Sequence, residues 1–422
     1  MSINRRNFLK ASAGIAATAL APACATSRNR APLGRVVVVG GGFGGATAAK
    51  YLKKWEPALE VTLVERNPNF VSCPISNLVL AGEKQIEDIT HPYDGLEKLG
   101  IRLVRDTATA IDPDRRLVLL ANGDPLPWDR LIVSPGIDFL YDRIPGLNST
   151  AAQERVLHAW RAGPQTVALR RQLAALPDGA TFVISIPTAP YRCPPGPYER
   201  ASLIAHYFKQ EKPRSKILIL DGNPDITSKK GLFLEAWQNL YPGIIEYWPN
   251  HEVVDFDIRT NTAHTEFERI RADLFNIIPP QRAGHIATPL ITANDRWCGV
   301  EYQGFESTRI PGVHVIGDAI VAAPGMPKSG FMANNHAKVA ADAVIAHFRG
   351  LERIPTPIIA NTCYSFVSPD EAVHVASVHR YDADQRTLLP VQGAGGLSHG
   401  RNAMEAKLAL AWARNIWADA LT

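Results

Sequence analysis

Short hydrophobic runs bounded by glycine or proline recur along the chain. Such runs occupy residues 35–39, 61–65, 181–186 and 216–221. Continuous runs of this length, rich in β-branched residues, are typical of strands buried on both faces of a parallel sheet. Aliphatic residues at helical spacing follow at 44–54 and at 197–210, which predicts helices between the paired strands. This alternation of strands and helices predicts an α/β fold.

A glycine-rich loop joins the run at 35–39 to the helix after it. Gly40, Gly42 and Gly45 have the G-x-G-x-x-G spacing, which lets the backbone turn tightly and approach a pyrophosphate at the N-terminus of a helix. Glu65 follows about twenty residues later, at the end of the next strand, where an acid accepts hydrogen bonds from a ribose. Together these residues predict a dinucleotide site.

A second motif indicates which dinucleotide binds. The segment from Thr308 to Asp318 (Thr-Arg-Ile-Pro-Gly-Val-His-Val-Ile-Gly-Asp) resembles the strand-and-aspartate motif of two-dinucleotide-fold flavoproteins. The resemblance implies that Gly317 approaches the ribityl chain of FAD and that Asp318 bonds its hydroxyls. The alternative for Asp318 is the N-cap of a helix that begins at Ala319. Because the two halves of the site are far apart in sequence, the FAD domain is predicted to be discontinuous.

The region between the two motifs has the strand and helix order of an NAD(P)H domain without its phosphate loop. Asp221 ends a strand where a nucleotide-binding acid would lie. After the strand at 181–186, however, the only glycine before Tyr198 is Gly196, and prolines flank it. Proline has no amide hydrogen to offer a phosphate. We therefore predict that the chain does not take electrons from NAD(P)H and that Asp221 is structural.

The predicted fold class is α/β, with two Rossmann-like three-layer domains, of which the FAD domain is discontinuous, and a smaller C-terminal α+β domain. The predicted segments are an export signal at 1–30, the first part of the FAD domain at 33–150, an inserted NAD(P)H-domain-like fold without the glycine loop at 151–286, the second part of the FAD domain at 287–350, and a flavin-covering and interface domain at 351–422. No stretch after the signal has the about 18 consecutive apolar residues of a transmembrane helix, so no integral membrane segment is predicted there.

The N-terminal residues have the layout of a twin-arginine export signal. Arg5 and Arg6 precede a weakly apolar stretch and small residues that fit cleavage after Ala25, with lipidation at Cys24 as an alternative. Such signals export proteins that are already folded, so we predict a periplasmic protein loaded with its cofactor. Cleavage would remove the positive charges of Arg5, Arg6 and Lys10 and lower the formal net charge from +4 to +1. Neither value suggests a nucleic-acid partner.

The chain has five cysteines, too few for a disulfide scaffold at this length. Cys24 belongs to the signal, so Cys73, Cys193, Cys298 and Cys363 each need an explanation in an oxidising compartment. The twelve histidines have no metal-binding spacing, and the chain has no Cys-x-x-Cys-His motif. The sequence therefore predicts neither a metal site nor a haem on this chain.

Three of these cysteines lie in distinctive contexts. Cys193 lies in Arg-Cys-Pro-Pro-Gly-Pro-Tyr-Glu-Arg-Ala, Cys73 in Ser-Cys-Pro-Ile-Ser-Asn, and Cys363 in Asn-Thr-Cys-Tyr-Ser. With the segments at 279–284 and 326–331, these contexts resemble the flavoprotein subunit of flavocytochrome c sulfide dehydrogenase, a disulfide-reductase-like flavoprotein, over nearly the whole chain. Cys298 has no counterpart in this scheme and is predicted to be structural.

The resemblance implies roles for particular residues. Cys73 would be bonded through sulfur to the 8α-methyl of FAD, its alternative being a small buried hydrophobe, and Lys328 would be among the cofactor-binding residues. Cys193 and Cys363 would form a redox-active disulfide, whose alternative is a structural disulfide between two domains. Glu199 would act near them as a general base. Its alternative is a solvated residue in the first turn of a helix.

The function that the resemblance implies is a periplasmic FAD-dependent sulfide dehydrogenase. Hydrosulfide would attack the Cys193/Cys363 disulfide, and electrons would pass to FAD and then to a c-type cytochrome subunit. Three alternatives stay open at this point. The first is a sulfide:quinone oxidoreductase that lies on a membrane through an amphipathic helix at 403–421, the second a non-catalytic FAD-binding partner protein, and the third an NADH-dependent reductase.

A thioether at Cys73 predicts that FAD stays with the protein after acid precipitation, because denaturation releases only flavin that is held without a covalent bond. The measurement is the absorbance of the pellet and of the supernatant. Yellow colour in the supernatant would exclude the covalent link.

Overall fold

The computed structural model describes residues 32–422, so the predicted export signal and Cys24 lie outside the described residues. Its largest sheet has seven strands, in the spatial order Val300–Glu301, Glu306–Ser307, Val313–Val315, Arg130–Val133, Arg35–Val39, Glu60–Val64 and Arg102–Val104. The last five of these pair in parallel, and the first two are antiparallel additions at one edge. One sheet thus combines strands from both predicted parts of the FAD domain.

The parallel strands of the large sheet are buried because helices cover them. Helix Phe43–Trp55 follows the first strand and packs against helix Gly330–Arg349. Val36, Val38 and Leu131 on the central strands are fully buried. The hydrophobic run at 35–39 is therefore a central strand, as its composition predicts.

The inserted region forms a second parallel sheet of four strands. Their spatial order is Ile245–Pro249, Lys216–Asp221, Thr181–Ile186 and Leu274–Ile277. Helix Gly196–Glu211 connects the two central strands, and helix Lys230–Leu240 follows the second of them. The strand bounds at 181–186 and 216–221 match the predicted ones, and the helix is one residue longer at each end than predicted.

The C-terminal region is an antiparallel sheet followed by a helix. The strands are Ile358–Ser368, Glu371–Asp382 and Thr387–Leu397, and the helix is Ala403–Leu421. The helix buries mainly alanines and Ile416 against the middle strand and helix Phe43–Trp55, while Met404 and Leu408 stay exposed. None of the helices within residues 32–422 combines the length and apolarity of a membrane span.

Smaller elements connect these layers. Further strands pair as Phe70–Val71 with Thr90–His91; Ala108–Asp112, Leu117–Leu120 and Leu126–Pro127; Ile137–Phe139 with Gln281–Ala283; Asp255–Asp257, Thr262–His264 and Arg269–Arg271; and Ile291–Ala293 with Trp297–Cys298. Further α-helices are Ser76–Ala81, Asp94–Lys98, Thr150–Arg155 and Pro164–Ala175. The 3₁₀ helices are Ile86–Ile89, Tyr141–Arg143, Pro145–Leu147, His285–Leu290 and Gly317–Ala319.

The architecture confirms the predicted fold class, and the exact domain boundaries stay predictions. One local alternative is wrong: Asp318 does not cap a helix that begins at Ala319. It lies inside the 3₁₀ turn Gly317–Ala319, and the next α-helix begins only at Gly330. Ser329 is its N-cap and accepts a hydrogen bond from the Met332 amide at 3.0 Å, so the carboxylate of Asp318 is left for another partner.

The end of the C-terminal helix is anchored by a buried lysine. Lys50, on helix Phe43–Trp55, donates from Nζ to the carbonyl oxygens of Ala418 and Asp419, both at 3.0 Å. A cation at the negative end of a helix dipole is stabilising, and hydrogen bonds from charged groups are stronger than neutral ones. This contact joins the last turn of the chain to the FAD domain.

We expect Lys50→Met to lower the free energy of unfolding by about 2 kcal/mol, because the last carbonyls of the helix lose a charged donor while the methionine fills the space. Urea unfolding followed by circular dichroism measures the change. Lys54→Met, one turn along the same helix at an exposed position, is the matched control and should change stability by less than about 0.5 kcal/mol. Equal stability of the two variants would contradict the anchoring role.

Candidate active site

One cavity of about 450 Å³ lies at the carboxyl ends of the parallel strands of the large sheet. Ligands of open α/β sheets bind at this end of the strands. The cavity is lined by the glycine loop at 40–44, by segments 64–67, 73–77, 134–138 and 192–200, and by residues of 317–318, 329–333 and 362–366. The wall therefore combines the FAD domain, the inserted domain and the C-terminal sheet.

The glycine loop is shaped by steric limits at its first and last glycines. Gly40 has φ +98°, and a Cβ on Gly45 would lie 1.7 Å from the Gly40 carbonyl oxygen. A Cβ on Gly42 would meet no atom within 4 Å although this glycine lines the cavity. Gly45 is thus required by the tight turn itself, whereas Gly42 keeps open the space that a pyrophosphate would approach.

Two acids line the same cavity as this loop. Glu65 lines the cavity and accepts hydrogen bonds from the Gly41 amide at 2.7 Å and from Asn67. Asp318 is 9% exposed, and its Oδ1 is buried without a hydrogen-bond partner in the described part of the chain. Burial raises the pKa of Asp318, opposed by the charges of Arg192 and Lys328. Asp318 lines the cavity, and a buried carboxylate oxygen without a partner calls for a hydrogen-bond donor.

These observations are consistent with FAD as the ligand. Gly42 leaves room for the pyrophosphate, Glu65 lies where a ribose would be bound, and Asp318 has an acceptor left over for ribityl hydroxyls. Gly317, with φ +74°, keeps the backbone flat against this wall. The predicted FAD residues at both ends of the sequence are thus brought together around one cavity.

Lys328 is the exception among the predicted cofactor residues. Its ammonium does not line the cavity but lies behind Asp318, where it donates to the carbonyl oxygens of Asp318 and Ile320 and lies 3.7 Å from the centre of the Trp297 ring. Burial lowers the pKa of Lys328 to about 7. The carbonyl oxygen of Lys328 accepts a hydrogen bond from the Cys193 amide at 2.8 Å. The backbone of Lys328 thus contacts the cysteine loop, while its ammonium lies outside the cavity and acts on the cavity wall through Asp318.

Cys73 lies on the cavity wall, in the loop between the strand Phe70–Val71 and the helix Ser76–Ala81. Its carbonyl oxygen accepts a hydrogen bond from the Ser76 hydroxyl at 2.6 Å, which fixes the turn. Arg192 is the cation that faces this thiol, and its guanidinium also donates to the Trp160 carbonyl oxygen. Cys73 therefore lines the cavity and is only partly buried.

Cys193 and Cys363 line the same cavity from two different domains. Cys193 has φ +58°, an uncommon conformation for a residue with a side chain, and Cys363 lies on strand Ile358–Ser368 next to Asn361, whose Nδ2 is 3.3 Å from its Sγ. Burial raises the pKa of both thiols. All four cysteines among residues 32–422 are unbonded here, so the Cys193/Cys363 disulfide stays a prediction for the oxidised protein.

Glu199 lies beside the two cysteines, in the first turn of helix Gly196–Glu211. It is not simply solvated, because Oε2 accepts from Asn77 Nδ2 at 2.8 Å and Oε1 from the Phe366 amide at 2.9 Å. Burial raises the pKa of Glu199, and these hydrogen bonds and the charge of Lys229 oppose the rise. The carboxylate is held in place by residues from two other domains, and its role as a base stays a prediction.

Several further residues surround the cysteines, and the sequence analysis assigns them no role. Arg200, 2% exposed, donates to Asn77 Oδ1, Asn276 Oδ1 and the carbonyl oxygens of His158 and Ala159. Lys229, 4% exposed, donates to the Cys363 carbonyl oxygen and the Ser365 hydroxyl. Each is distant in sequence from the residues it contacts, so no local pattern predicts these contacts. Asn77 and Arg200 lie within the quoted contexts of Cys73 and Cys193, which was the one signal for them, and Lys229 had none.

Asp221, the acid at the end of the inserted strand, is fully buried. Its carboxylate accepts hydrogen bonds from the Tyr198 hydroxyl at 2.7 Å, the Tyr247 hydroxyl at 3.0 Å and Asn223. A ribose would have to displace these partners. The structural role predicted for Asp221 agrees with this network.

Comparisons with known protein families extend these observations. Residues 166–279 match the family model described as sulfide dehydrogenase [flavocytochrome c] flavoprotein chain, central, and residues 355–421 match flavocytochrome c sulphide dehydrogenase, flavin-binding. Residues 34–182 match pyridine nucleotide-disulphide oxidoreductase, and residues 2–22 match the twin-arginine pathway signal. The last match confirms the predicted signal and supports export of the chain to the periplasm.

Individual proteins show the same similarity. A sulfide dehydrogenase [flavocytochrome c] flavoprotein chain of Chlorobaculum thiosulfatiphilum is 67% identical over 45 residues, which are 11% of this chain and 94% of that sequence. The chain belongs to the flavocytochrome c sulfide dehydrogenase flavoprotein family. Mouse mitochondrial sulfide:quinone oxidoreductase is 24% identical over 318 residues, 70% of this chain and 67% of that protein. The crystal structure of sulfide:quinone oxidoreductase from Aquifex aeolicus superposes with a TM-score of 0.75 at 17% identity, covering 92% of this chain and 91% of the other.

Membership of this family confirms the predicted FAD-binding oxidoreductase and its reaction class, oxidation of sulfide. The name of the family also implies a cytochrome partner. At 17% identity, the likeness to the Aquifex aeolicus structure supports the fold and nothing about the function.

The two glycines provide a matched pair of variants in the flavoprotein. We expect Gly45→Ala to abolish FAD retention, because its Cβ would overlap the Gly40 carbonyl oxygen, and Gly42→Ala to fold normally while lowering flavin content. The measurement is bound flavin per chain after gel filtration, with circular dichroism as the check on folding. Normal flavin content in Gly45→Ala would contradict the role given to the tight turn.

Proposed function

We propose that the chain oxidises hydrosulfide at a Cys193/Cys363 redox couple and passes the electrons through FAD to a c-type cytochrome. The observation that carries this proposal is that two cysteines distant in sequence line the cavity that also holds the glycine loop and Asp318. A pair that bridges two domains beside a flavin site fits exchange with a small thiol or hydrosulfide. FAD, when bound, supplies the two-electron acceptor.

The cysteine step follows from thiol–disulfide chemistry. The sulfur of hydrosulfide forms a bond to Cys193, the bond between Cys193 and Cys363 breaks, and its electron pair remains on Cys363 as a thiolate. Cys193 then carries a persulfide. We assign the thiolate to Cys363 by analogy with the family.

Glu199 is proposed as the group that takes up the proton of hydrosulfide or of the persulfide. Both its oxygens already accept hydrogen bonds, from Asn77 and from the Phe366 amide, so the carboxylate is oriented. Its raised pKa supports this role because a base with a pKa closer to the working pH transfers protons more effectively. Arg192, on the same wall, favours the approach of an anion.

A thioether between Cys73 and FAD is proposed on two observations. The Cys73 side chain lines the cavity, and the loop that carries it is fixed by the bond from Ser76 to its carbonyl oxygen. Arg192 faces the same thiol from the cavity wall. The cytochrome partner is proposed from the family name.

We also infer that NAD(P)H is not the electron donor. The helix after the strand Thr181–Ile186 begins between Pro195 and Pro197, and a Cβ on Gly196 would lie 2.7 Å from Trp160. Phosphate oxygens would find few amides at this position. Asp221 is occupied by the two tyrosine hydroxyls and Asn223.

An anaerobic titration tests the proposed function. We expect sulfide, but not NADH, to bleach the flavin of the native protein, and we expect Cys193→Ser to retain FAD without being bleached by sulfide. The loss should exceed about 100-fold in rate, because serine cannot form the disulfide that hydrosulfide attacks. Stopped-flow absorbance of the flavin is the measurement.

Cys298→Ala is the control, because Cys298 is buried, contacts the Ala287 carbonyl oxygen at 3.7 Å and does not line the cavity. It should be bleached at the native rate. Bleaching of the native protein by NADH would favour a reductase, and no response to sulfide would favour a non-catalytic FAD-binding protein. A membrane-bound, haem-free preparation that reduces quinone would favour a sulfide:quinone oxidoreductase.

A further inference from the structure

Lys229 is a buried cation beside the cysteine pair. It is the residue before helix Lys230–Leu240 and has φ +57°, which turns its side chain from the inserted domain toward the C-terminal sheet. Its Nζ donates to the Cys363 carbonyl oxygen at 2.9 Å and to the Ser365 hydroxyl at 2.8 Å. The ammonium is thus fixed against the strand that carries Cys363.

The charge of Lys229 has no carboxylate within ion-pair distance among residues 32–422. The charged or titratable groups that face it are Cys363, Glu199, Cys193 and Glu405. Glu199 is already bonded to Asn77 and to the Phe366 amide. An ammonium has three donors, and two are used, so one remains for an anion.

A buried cation without a partner is costly, so a compensating anion is expected at some stage of the reaction. The opening of the proposed disulfide creates such an anion. Hydrosulfide brings one negative charge, its sulfur becomes bonded to Cys193, and the charge leaves on the sulfur of Cys363. The cavity otherwise opposes this charge, because burial raises the pKa of the Cys363 thiol.

We propose that Lys229 is a positioning residue that supplies the counter-charge for the thiolate formed on Cys363 when the disulfide opens. This inference rests on the proposed function. Two further observations support it: Lys229 is the strongest of the influences that lower the pKa of Cys363, and Asn361 bonds the same sulfur from the other side. Burial lowers the pKa of Lys229 itself to about 8, and the charge of Cys363 opposes this fall, so the ammonium is charged at neutral pH and a thiolate on Cys363 favours its charged form.

A purely structural role, in which Lys229 only bonds the strand, must be separated from the role of its charge. Lys229→Gln keeps N–H donors near the Cys363 carbonyl oxygen and the Ser365 hydroxyl but removes the charge. Lys229→Arg keeps the charge and retains it to higher pH. Lys230→Met removes an exposed neighbouring charge, which pairs with Asp225, and serves as the matched control.

The experiment measures the pH dependence of alkylation of Cys363 in the flavin-loaded, full-length Cys193→Ser protein, with peptide mass spectrometry to identify the modified cysteine. We expect Lys229→Gln to raise the pH midpoint of alkylation by about one pH unit, equivalent to about tenfold less thiolate at neutral pH. Lys229→Arg should keep the midpoint at or below the value of the parent protein, and Lys230→Met should leave it unchanged. In the otherwise native protein, Lys229→Gln should slow flavin bleaching by sulfide about tenfold.

The outcomes separate this inference from the proposed function. An unchanged midpoint in Lys229→Gln overturns the counter-charge, even if the native protein is bleached by sulfide. A shifted midpoint in a protein that sulfide does not bleach leaves the counter-charge intact and contradicts the proposed function instead. If Lys229→Gln does not retain flavin, Lys229→Arg decides, because a raised midpoint in that variant overturns the proposal.

Discussion

The site depends on one buried cation, the guanidinium of Arg200. It donates to Asn77 of the FAD domain, to Asn276 of the inserted sheet and to the carbonyl oxygens of His158 and Ala159. It also lies 4.9 Å from the centre of the Trp160 ring. Burial lowers its pKa to about 10. Taking a cation out of water is expensive unless its donors are satisfied. These acceptors therefore fix the helix that carries Glu199, and with it the cysteine loop, against the flavin cavity.

The loop before this helix illustrates how one position in an α/β fold can serve two chemistries. The carboxyl end of a parallel strand followed by a helix is where dinucleotide-binding domains hold phosphate, through glycines and free amides. Here prolines flank Gly196, and the Cys193 amide donates to the Lys328 carbonyl oxygen. The carboxylate of Asp221 accepts hydrogen bonds from two tyrosine hydroxyls. The geometry that would bring a nicotinamide to the flavin instead brings a sulfur to the same cavity.

Positive charges near the two sulfurs offset the cost of burying a thiolate. The thiols of Cys193 and Cys363 are disfavoured as anions by the cavity, while Lys229, Arg192 and Arg200 surround them with positive charge. Glu199 supplies a carboxylate beside them, held by hydrogen bonds. In the proposed couple, a cation would compensate the electron pair left on one sulfur, so the placement of charge matters as much as the cysteines do.

The main parallel strands, the glycine loop and its acid could be predicted from the sequence, because each is encoded within a few neighbouring residues. The hydrophobic run at 35–39, the spacing of Gly40 and Gly45, and the cysteine contexts are readable without coordinates. The residues that surround the cysteines could be identified only from the folded chain. The ammonium of Lys229 lies against Cys363 although the two are 134 residues apart, and the charge of Lys328 lies outside the cavity although its neighbour Ser329 lines it. Such contacts depend on how domains pack and on which way a side chain turns, and neither leaves a periodic or local signal in the sequence.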